Sequence, residues 1–571
     1  MMNTPWLSFY ENVPKHINYP NTSMFELVQN TAKAFPNFIA YEFMGKTTTY
    51  AEFINEVNQC AKALKAIGIN EGDRITICLP NVPQAVIFFY AVNLIGAISN
   101  MIHPLSSEGE IQFYLNNSNS KAAITLDIFY DKFENIRGNT VLKYLIITSI
   151  KDKLGIINII GYNLSKGCKI KDVSRKTDTI LWKDFLKKGK KYNLGYTVIK
   201  KGQDPAVILY SGGTTGTTKG ILLTNLNFNA LAMQTAAMGD CIFPGHTMLA
   251  IMPIFHGFGL GVCIHTMLTN GCKCLLIPTF NFKMFGKLLK KKQPNYIAGV
   301  PTLYEALLRN KKIKGIDLSC LEGVFSGGDS LSIELKKKVD FFLKKHGAKV
   351  QIREGYGTTE CVTASCLTPK SFAKEGSIGI PFPDTYYKIV KPNTQKELSY
   401  EEEGEICISG PTVMLGYIGN PKETSHTLQI HPDGRIWLHT GDLGVMDSDG
   451  FIYFKQRIKR MIISSGYSIY PSQLENVIDA HEAVLMSTVI GIDDPYKIQK
   501  VKAFIVLKPD FLPTEKVKKS IKDHCNKNIA KYAMPYEFEY RKSLPKTLVG
   551  KVAYTVLEAE EREKRKGTKN L

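Results

Sequence analysis

The sequence predicts an α/β protein in two parts: a large N-terminal domain of mainly parallel sheets flanked by helices, then a small α+β domain. Length gives the first indication, because 571 residues exceed what one hydrophobic core holds. The second is alternation. Ala206 to Tyr210, Met248 to Met252 and Cys274 to Ile277 are short apolar runs bounded by Gly, Pro or polar clusters, and they read as buried strands. Longer amphipathic stretches lie between such runs. Ser332 to Lys345, for example, carries Leu335, Val339 and Phe342 on one face and lysines opposite. Strands alternating with helices imply parallel sheets.

Along the chain, Ala85 to Ile102 is apolar all round and as long as a membrane span. Asn93, Gly96, Ser99 and Asn100 interrupt it and Pro83 and Pro104 bracket it, so a buried helix running into a buried strand is expected. Residues 151 to 195 hold the apolar Ile156 to Leu164 and the basic Lys166 to Lys176, and read as a surface excursion. A peripheral membrane contact is the sharper reading of that segment. The turn Asp447-Ser448-Asp449-Gly450 closes a hairpin-like unit, and a domain boundary falls near Arg457 to Ile463, giving parts 1–458 and 459–571. Beyond it, Pro471 to Ile478 opens a helix, while Leu485 to Ile490 and Lys502 to Leu507 look like strands. The mostly charged tail Glu558 to Lys569 is expected to fray.

A net charge of +20 admits nucleic acid, an anionic membrane or a polyanionic small molecule as partner. The lysines are scattered, and the runs Lys187 to Lys191 and Lys290 to Lys292 lack interleaved aromatics, so a nucleic-acid role is not expected. Cys272 and Cys274 are too close, and in too strand-like a run, to form a paired zinc set. They read as buried thiols. The start shows no secretory signal, so a reducing cytoplasm is expected, with contact to the inner membrane face as its variant.

Chemistry is densest in Ser211-Gly212-Gly213-Thr214-Thr215-Gly216-Thr217-Thr218-Lys219-Gly220, which directly follows a strand. Glycines let backbone amides approach phosphate oxygens, while hydroxyls and a lysine add donors and charge. The Walker spacing is absent, because Lys219 lies between Thr218 and Gly220 instead of preceding a Ser or Thr.

This loop resembles the phosphate-binding signature of the adenylate-forming superfamily, which includes acyl-CoA synthetases, carrier-domain adenylation enzymes and luciferases. Further matching motifs follow in the same order. They are Met252-Pro253-Ile254-Phe255-His256-Gly257, Ser326-Gly327-Gly328-Asp329-Ser330, Tyr356-Gly357-Thr358-Thr359-Glu360, Thr440-Gly441-Asp442, Arg457-Ile458-Lys459, Ser464-Ser465-Gly466-Tyr467 and Pro545-Lys546-Thr547-Leu548-Val549-Gly550-Lys551.

The resemblance implies an ATP site made by the loop (Ser211, Gly212, Gly213, Thr214, Thr215, Gly216, Lys219), Gly328 and Asp329 on the adenine side, Tyr356, Gly357 and Thr358, and Asp442 and Arg457 on the ribose. It implies that Lys551, Thr359, Glu360 and His256 are catalytic, that Thr215 and Glu360 hold Mg2+, that Lys459 is the hinge, and that Ser465 and Gly466 line a coenzyme A tunnel. A β-barrel-like subdomain and a mobile C-terminal lid come with it. Two departures stand out: Gln456 replaces the usual glycine before Arg457, and Tyr554 replaces a frequent arginine after Lys551.

The implied reaction joins a carboxylic acid to AMP and then to coenzyme A, without a prosthetic group. The start, Pro5-Trp6-Leu7 with Tyr10, Val13 and Pro14, resembles medium- and long-chain fatty acyl-CoA ligases. Walls for the acid are expected from Gly257 to Thr266, Gly299 to Thr302 and Gly323 to Gly328. Two alternatives stand beside this: a fatty acyl-AMP ligase loading an acyl carrier protein, and a non-catalytic nucleotide or lipid binder.

Overall fold

The computed structural model describes residues 3–155, 178–211, 218–279, 282–310, 313, 315–464, 467–494, 496–531, 533–547 and 550–568. Two large sheets form its body. One has eight strands, in the order Gly416–Tyr417, Lys219–Thr224, Pro205–Ser211, Ile98–Met101, Arg74–Cys78, Ala122–Leu126, Tyr144–Thr148 and Thr179–Leu181. The other has nine, in the order Ile380–Pro381, Cys366–Leu367, Ile352–Tyr356, Gly323–Ser326, Tyr296–Gly299, Thr247–Ala250, Lys273–Leu276, Ile39–Phe43 and Lys46–Thr49. Both are parallel at the centre, with antiparallel pairs toward the edges. This is the expected α/β architecture.

The apolar stretch beginning at Ala85 resolves as anticipated. Helix Pro83–Leu94 is buried along its whole length, and the chain continues into the buried strand Ile98–Met101. No described helix is long and apolar enough to cross a membrane. Cys274 is buried within its strand and Cys272 just before it. Ser332 caps helix Ile333–Lys345 by accepting from the Leu335 amide.

A five-stranded antiparallel sheet follows, made of Tyr386–Val390, Gly404–Ser409, Ile436–Met446, Leu428–Ile430 and Ile452–Arg457. The last sheet contains Tyr467–Ile469, Ile462–Ser464, Ile498–Leu507, Val484–Asp494 and Glu537–Tyr540. Helices Pro471–Asp479 and Glu515–Asn528 share one of its apolar clusters through Ile478, Ile521 and Cys525. Leu557 of the terminal helix joins a second cluster, with Leu485, Ile490 and Phe504.

Two expectations need correction. The tail from Glu558 does not fray at once: helix Tyr554–Thr568 continues through it. Leu557 is fully buried, and buried Lys502 draws Glu561, Glu537 and Glu539 around its ammonium, so charge in the tail is tied inward. Residues 151–195 are not wholly a surface excursion either. Thr179–Leu181 adds an edge strand, and helix Trp182–Lys190 buries Trp182 and Phe185 against helix Tyr50–Ala66. The segments Ile156 to Leu164 and Lys166 to Lys176 lie outside the described residues.

Candidate active site

Strand Pro205–Ser211 turns back antiparallel into Lys219–Thr224, with Ser211 opposite Lys219. The connection, 212–217, contains Gly212, Gly213, Thr214, Thr215 and Gly216 and lies outside the described residues. Lys219, at its exit, pairs with Glu423 and sits 4.9 Å from the centre of the Tyr417 ring. The Tyr417 hydroxyl donates to Glu360 Oε1 at 2.9 Å. The loop's exit and Glu360 are thus bridged by one tyrosine.

Glu360 belongs to a sharply turned segment. Strand Ile352–Tyr356 ends, Gly357 follows, the Thr358 amide donates to Cys361 Sγ, and Thr359–Cys361 makes a single 3-10 turn. At Val362 the chain then takes φ +66° and ψ −58°, and the Thr363 amide donates to the Cys361 carbonyl at 2.8 Å. This is a γ-turn of the strained hand. For a buried β-branched residue it costs about 1–3 kcal/mol, a strain that clusters at functional sites. Gly257 makes room for it, since a Cβ there would stand 1.8 Å from the Val362 carbonyl oxygen. The His256-Gly257 and Thr359-Glu360 motifs are therefore locked together through Val362.

Asp442 is presented by a bulge. Glu405 pairs with Leu443 and Cys407 with His439, so Thr440, Gly441 and Asp442 together face Ile406 alone. Thr440 Oγ1 donates to the Ile406 carbonyl at 2.7 Å, and Gly441 adopts φ +71°. Asp442 Oδ2 accepts from the Tyr356 hydroxyl at 2.7 Å. Its Oδ1 is buried, accepts no hydrogen bond, and lies 3.4 Å from Arg457 Nε. Burial pushes the Asp442 carboxyl above its ordinary range, against the pull of Arg457. The Asp442 charge, in turn, raises the Arg457 guanidinium. Gln456, in place of the expected glycine, is accommodated in the strand with its side-chain amide buried and without a partner.

The C-terminal part enters this cleft through Lys551. Gly550 and Lys551 lie on a turn where Thr547 Oγ1 accepts from the Lys551 amide at 3.1 Å. Thr302 Oγ1 donates to the Gly550 carbonyl at 2.7 Å, and the Val552 amide reaches Asp329 Oδ2 at 3.4 Å. Lys551 Cε lies 3.5 Å from where a Gly328 Cβ would be. Burial lowers the Lys551 ammonium below its ordinary range, opposed first by Asp329 and reinforced by Arg457. Burial raises Asp329, opposed by Lys551 and Arg460. The side chain of Lys459, and all of Ser465 and Gly466, lie outside the described residues.

Next to this cluster is an apolar cavity of about 450 Å³, mouth included, lined among others by Phe258, Val262, Phe325, Thr363, Leu367 and Phe382. Two of the three expected wall segments line it. Gly299 to Thr302 does not, because Val300 and Thr302 face the Gly550 turn instead. Burial, with Lys551 second, holds His256 down at about 3, so its imidazole is neutral.

Sequence reading missed three contributors and gave a fourth, Thr302, to the wall of the acid pocket. Arg460 grips Glu475 with both terminal nitrogens and lies 4.8 Å from the centre of the Tyr554 ring, so a guanidinium packs on the tyrosine that stands where an arginine is frequent. Tyr417, Val362 and Thr302 lie outside the matched motifs, and only the fold brings them in.

A cleft lined by Asp329, Glu360 and Asp442 and entered by a lysine on a turn of the C-terminal part belongs to an adenylate-forming enzyme. Comparison with known sequences makes this specific. The profile "AMP-binding enzyme" matches residues 28–418, and "AMP-binding enzyme C-terminal domain" matches residues 473–551. The chain belongs to the AMP-binding enzyme family. It is 35% identical to the long-chain-fatty-acid–CoA ligase of Bacillus subtilis (strain 168), over 98% of each chain. It is 30% identical to the enzyme of the same name from Salmonella typhimurium, over 99% of each. ATP-bound MatB from Rhodopseudomonas palustris shares the fold, with a TM-score of 0.81 at 22% identity, covering 95% of this chain and 99% of that one.

Proposed function

We propose that this chain activates a medium- or long-chain fatty acid with ATP and transfers the acyl group to coenzyme A, releasing AMP and pyrophosphate. The observation that carries the reading is the Lys551 ammonium, delivered on a turn of the C-terminal part to a cleft that already holds Asp329, Asp442 and Glu360. The full-length relatives named as long-chain-fatty-acid–CoA ligases support the acid and the acceptor.

In the first step one carboxylate oxygen attacks the α-phosphorus and pyrophosphate leaves with the bonding pair. Negative charge gathers beside the phosphates, so preorganised cations and donors lower the barrier. Lys551 is one such cation. Its lowered proton affinity reverses once phosphates enter, because nearby anions favour the ammonium. Asp442 Oδ1, buried and without a hydrogen bond, is an acceptor for a ribose hydroxyl, with Arg457 alongside. Neutral His256 next to Lys551 borders the carboxylate without adding charge. Glu360 spends Oε1 on Tyr417, and no described group donates to Oε2. That fits magnesium, which takes one or two carboxylates and completes its shell with phosphate oxygens. Glu360 and Thr215 would hold it, and it would neutralise phosphate charge.

In the second step the thiolate attacks the acyl carbon and AMP leaves. Lys551 has no part in this, so parts 1–458 and 459–571 rotate about Lys459, opening a tunnel along Ser465 and Gly466. The described cysteines are unpaired and, Cys320 apart, buried, which suits a cytoplasmic enzyme. The test is pyrophosphate release across a panel of acids, with coenzyme A, with a holo carrier protein, or with neither. Acid-dependent release with coenzyme A thioester as product is expected. Preference for the carrier would reassign the acceptor, and no acid-dependent release would reject the enzyme.

A further inference from the structure

Behind the Thr440–Asp442 bulge, on the two strands that form it and the hairpin beside them, four side chains meet that the mechanism above does not use. Glu405 Oε1 accepts from the Gly441 amide at 2.9 Å. Glu405 Oε2 lies 3.0 Å from His439 Nδ1, and His439 Nε2 lies 2.9 Å from His431 Nε2. Cys407 Sγ stands 3.6 Å from the same His439 Nδ1. Glu405 and His431 are 6% and 2% exposed.

If both rings are neutral, the hydrogen bonds fix where their hydrogens sit. A carboxylate only accepts, so His439 Nδ1 carries a hydrogen and its Nε2 is bare. His431 Nε2 must then donate to it, which leaves His431 Nδ1 as an acceptor, and that atom is buried without a partner. Burial, followed by Lys388, lowers His431 to about 4, consistent with one ring hydrogen at neutral pH. Lys388 itself stacks on Trp437 at 4.1 Å and pairs with Asp433 at 3.5 Å, so it is committed elsewhere. The result is a relay of donors, His431 to His439 to Glu405, that meets on the Glu405 carboxylate the hydrogen bond donated by the Gly441 amide next to Asp442.

We infer that Glu405, oriented by His439 and His431, is a positioning residue that holds the turn aiming Asp442 at the nucleotide's ribose. The inference rests on the reading of Asp442 as the ribose acceptor. Gly441 has positive φ and carries no side chain, so its amide bond to Glu405 holds the middle of the turn, beside the bond from the Asp442 amide to Thr440 Oγ1 at 3.1 Å. An amide cannot replace the carboxylate. Glutamine could still accept from Gly441, but its NH2 would face the Nδ1 hydrogen of His439. Relieving that clash flips the tautomer of His439 and then of His431, putting a hydrogen on the buried Nδ1 with nothing to receive it. Glu405, Cys407 and His439 also resemble a metal-ligand set. However, the carboxylate and the thiol converge on one nitrogen whose hydrogen bond is already made, which favours the hydrogen-bonded chain.

The test compares kcat/KM for ATP and 3′-deoxy-ATP, read by pyrophosphate release with a fatty acid the wild type turns over, in Glu405→Gln, His431→Asn and Asp442→Asn. Glu405→Gln is expected to lower the ATP preference about tenfold with the KM for the acid unchanged. His431→Asn should lower it less, and it is read alone if Glu405→Gln does not fold. If Asp442→Asn abolishes the preference while the other two keep it, the positioning role is wrong. If Asp442→Asn itself keeps it, the ribose reading fails first and this inference with it. One equivalent of zinc in the purified protein, lost in Cys407→Ser, would also overturn the chain.

Discussion

Replacing Thr302 by valine tests whether the two parts of the chain are held in this arrangement by specific contacts. Thr302 is 4% exposed in the first turn of helix Pro301–Arg309, and its hydroxyl donates to the Gly550 carbonyl at 2.7 Å, one residue from Lys551. Valine keeps the shape and removes the donor. One neutral hydrogen bond contributes about 1 kcal/mol net. At about 1.4 kcal/mol per factor of ten, the arrangement with Lys551 inserted weakens up to about fivefold relative to arrangements without it. The Val552–Asp329 contact remains, so insertion is weakened and not abolished. Acid-dependent ATP–pyrophosphate exchange should therefore drop two- to fivefold. Conversion of a supplied acyl-adenylate to thioester, which needs the lysine withdrawn, should hold or rise. An equal fall in both half-reactions, with unfolding unchanged, would refute the reasoning.

Gly257→Ala forces a Cβ to within 1.8 Å of the Val362 carbonyl oxygen; an overpacking cost of about 1–3 kcal/mol should lower the urea midpoint, together with loss of adenylation. Burial raises Glu354 from its ordinary 4.5 to about 8. The folded state therefore binds a proton the unfolded chain has released, and this stabilisation is complete below about pH 4.5 and fades as pH rises through about 8. Glu354→Gln should remove that loss, so urea unfolding should show the variant gaining on wild type between pH 5 and 8. Thr235 lines the apolar cavity; Thr235→Leu should shift kcat/KM toward shorter acids by about tenfold or more, in line with about 1–3 kcal/mol per methylene in a tight pocket.

The architecture was legible because it rests on local pattern. Apolar runs near Ala206, Met248 and Cys274 became central strands, and the all-round apolar stretch beginning at Ala85 became a buried helix and strand. The motif residues Asp329, Tyr356, Glu360, Asp442 and Lys551 were nameable because each falls in a short, ordered signature. What connects them was not. Tyr417 bridges Lys219 to Glu360, Thr302 meets the Gly550 turn, and Glu405 reaches Gly441, each across long stretches of chain and with no local signature. The tail misled for a related reason: its charges look solvated until Lys502 on a distant strand is seen to gather Glu561 with Glu537 and Glu539. The wall at Gly299 to Thr302 was misassigned because small residues suit close backbone approach as well as a pocket, and here Val300 and Thr302 receive the Gly550 turn.

The central claim is that one lysine on the terminal part serves the first half-reaction and is absent from the second. Lys551→Ala tests it directly, with the two half-reactions measured separately on the same preparation. Acid-dependent pyrophosphate release should fall by orders of magnitude, while a supplied acyl-adenylate is still converted to the coenzyme A thioester at close to the wild-type rate. Equal loss of both would contradict the two-arrangement account, and undiminished adenylation would remove Lys551 from the chemistry altogether.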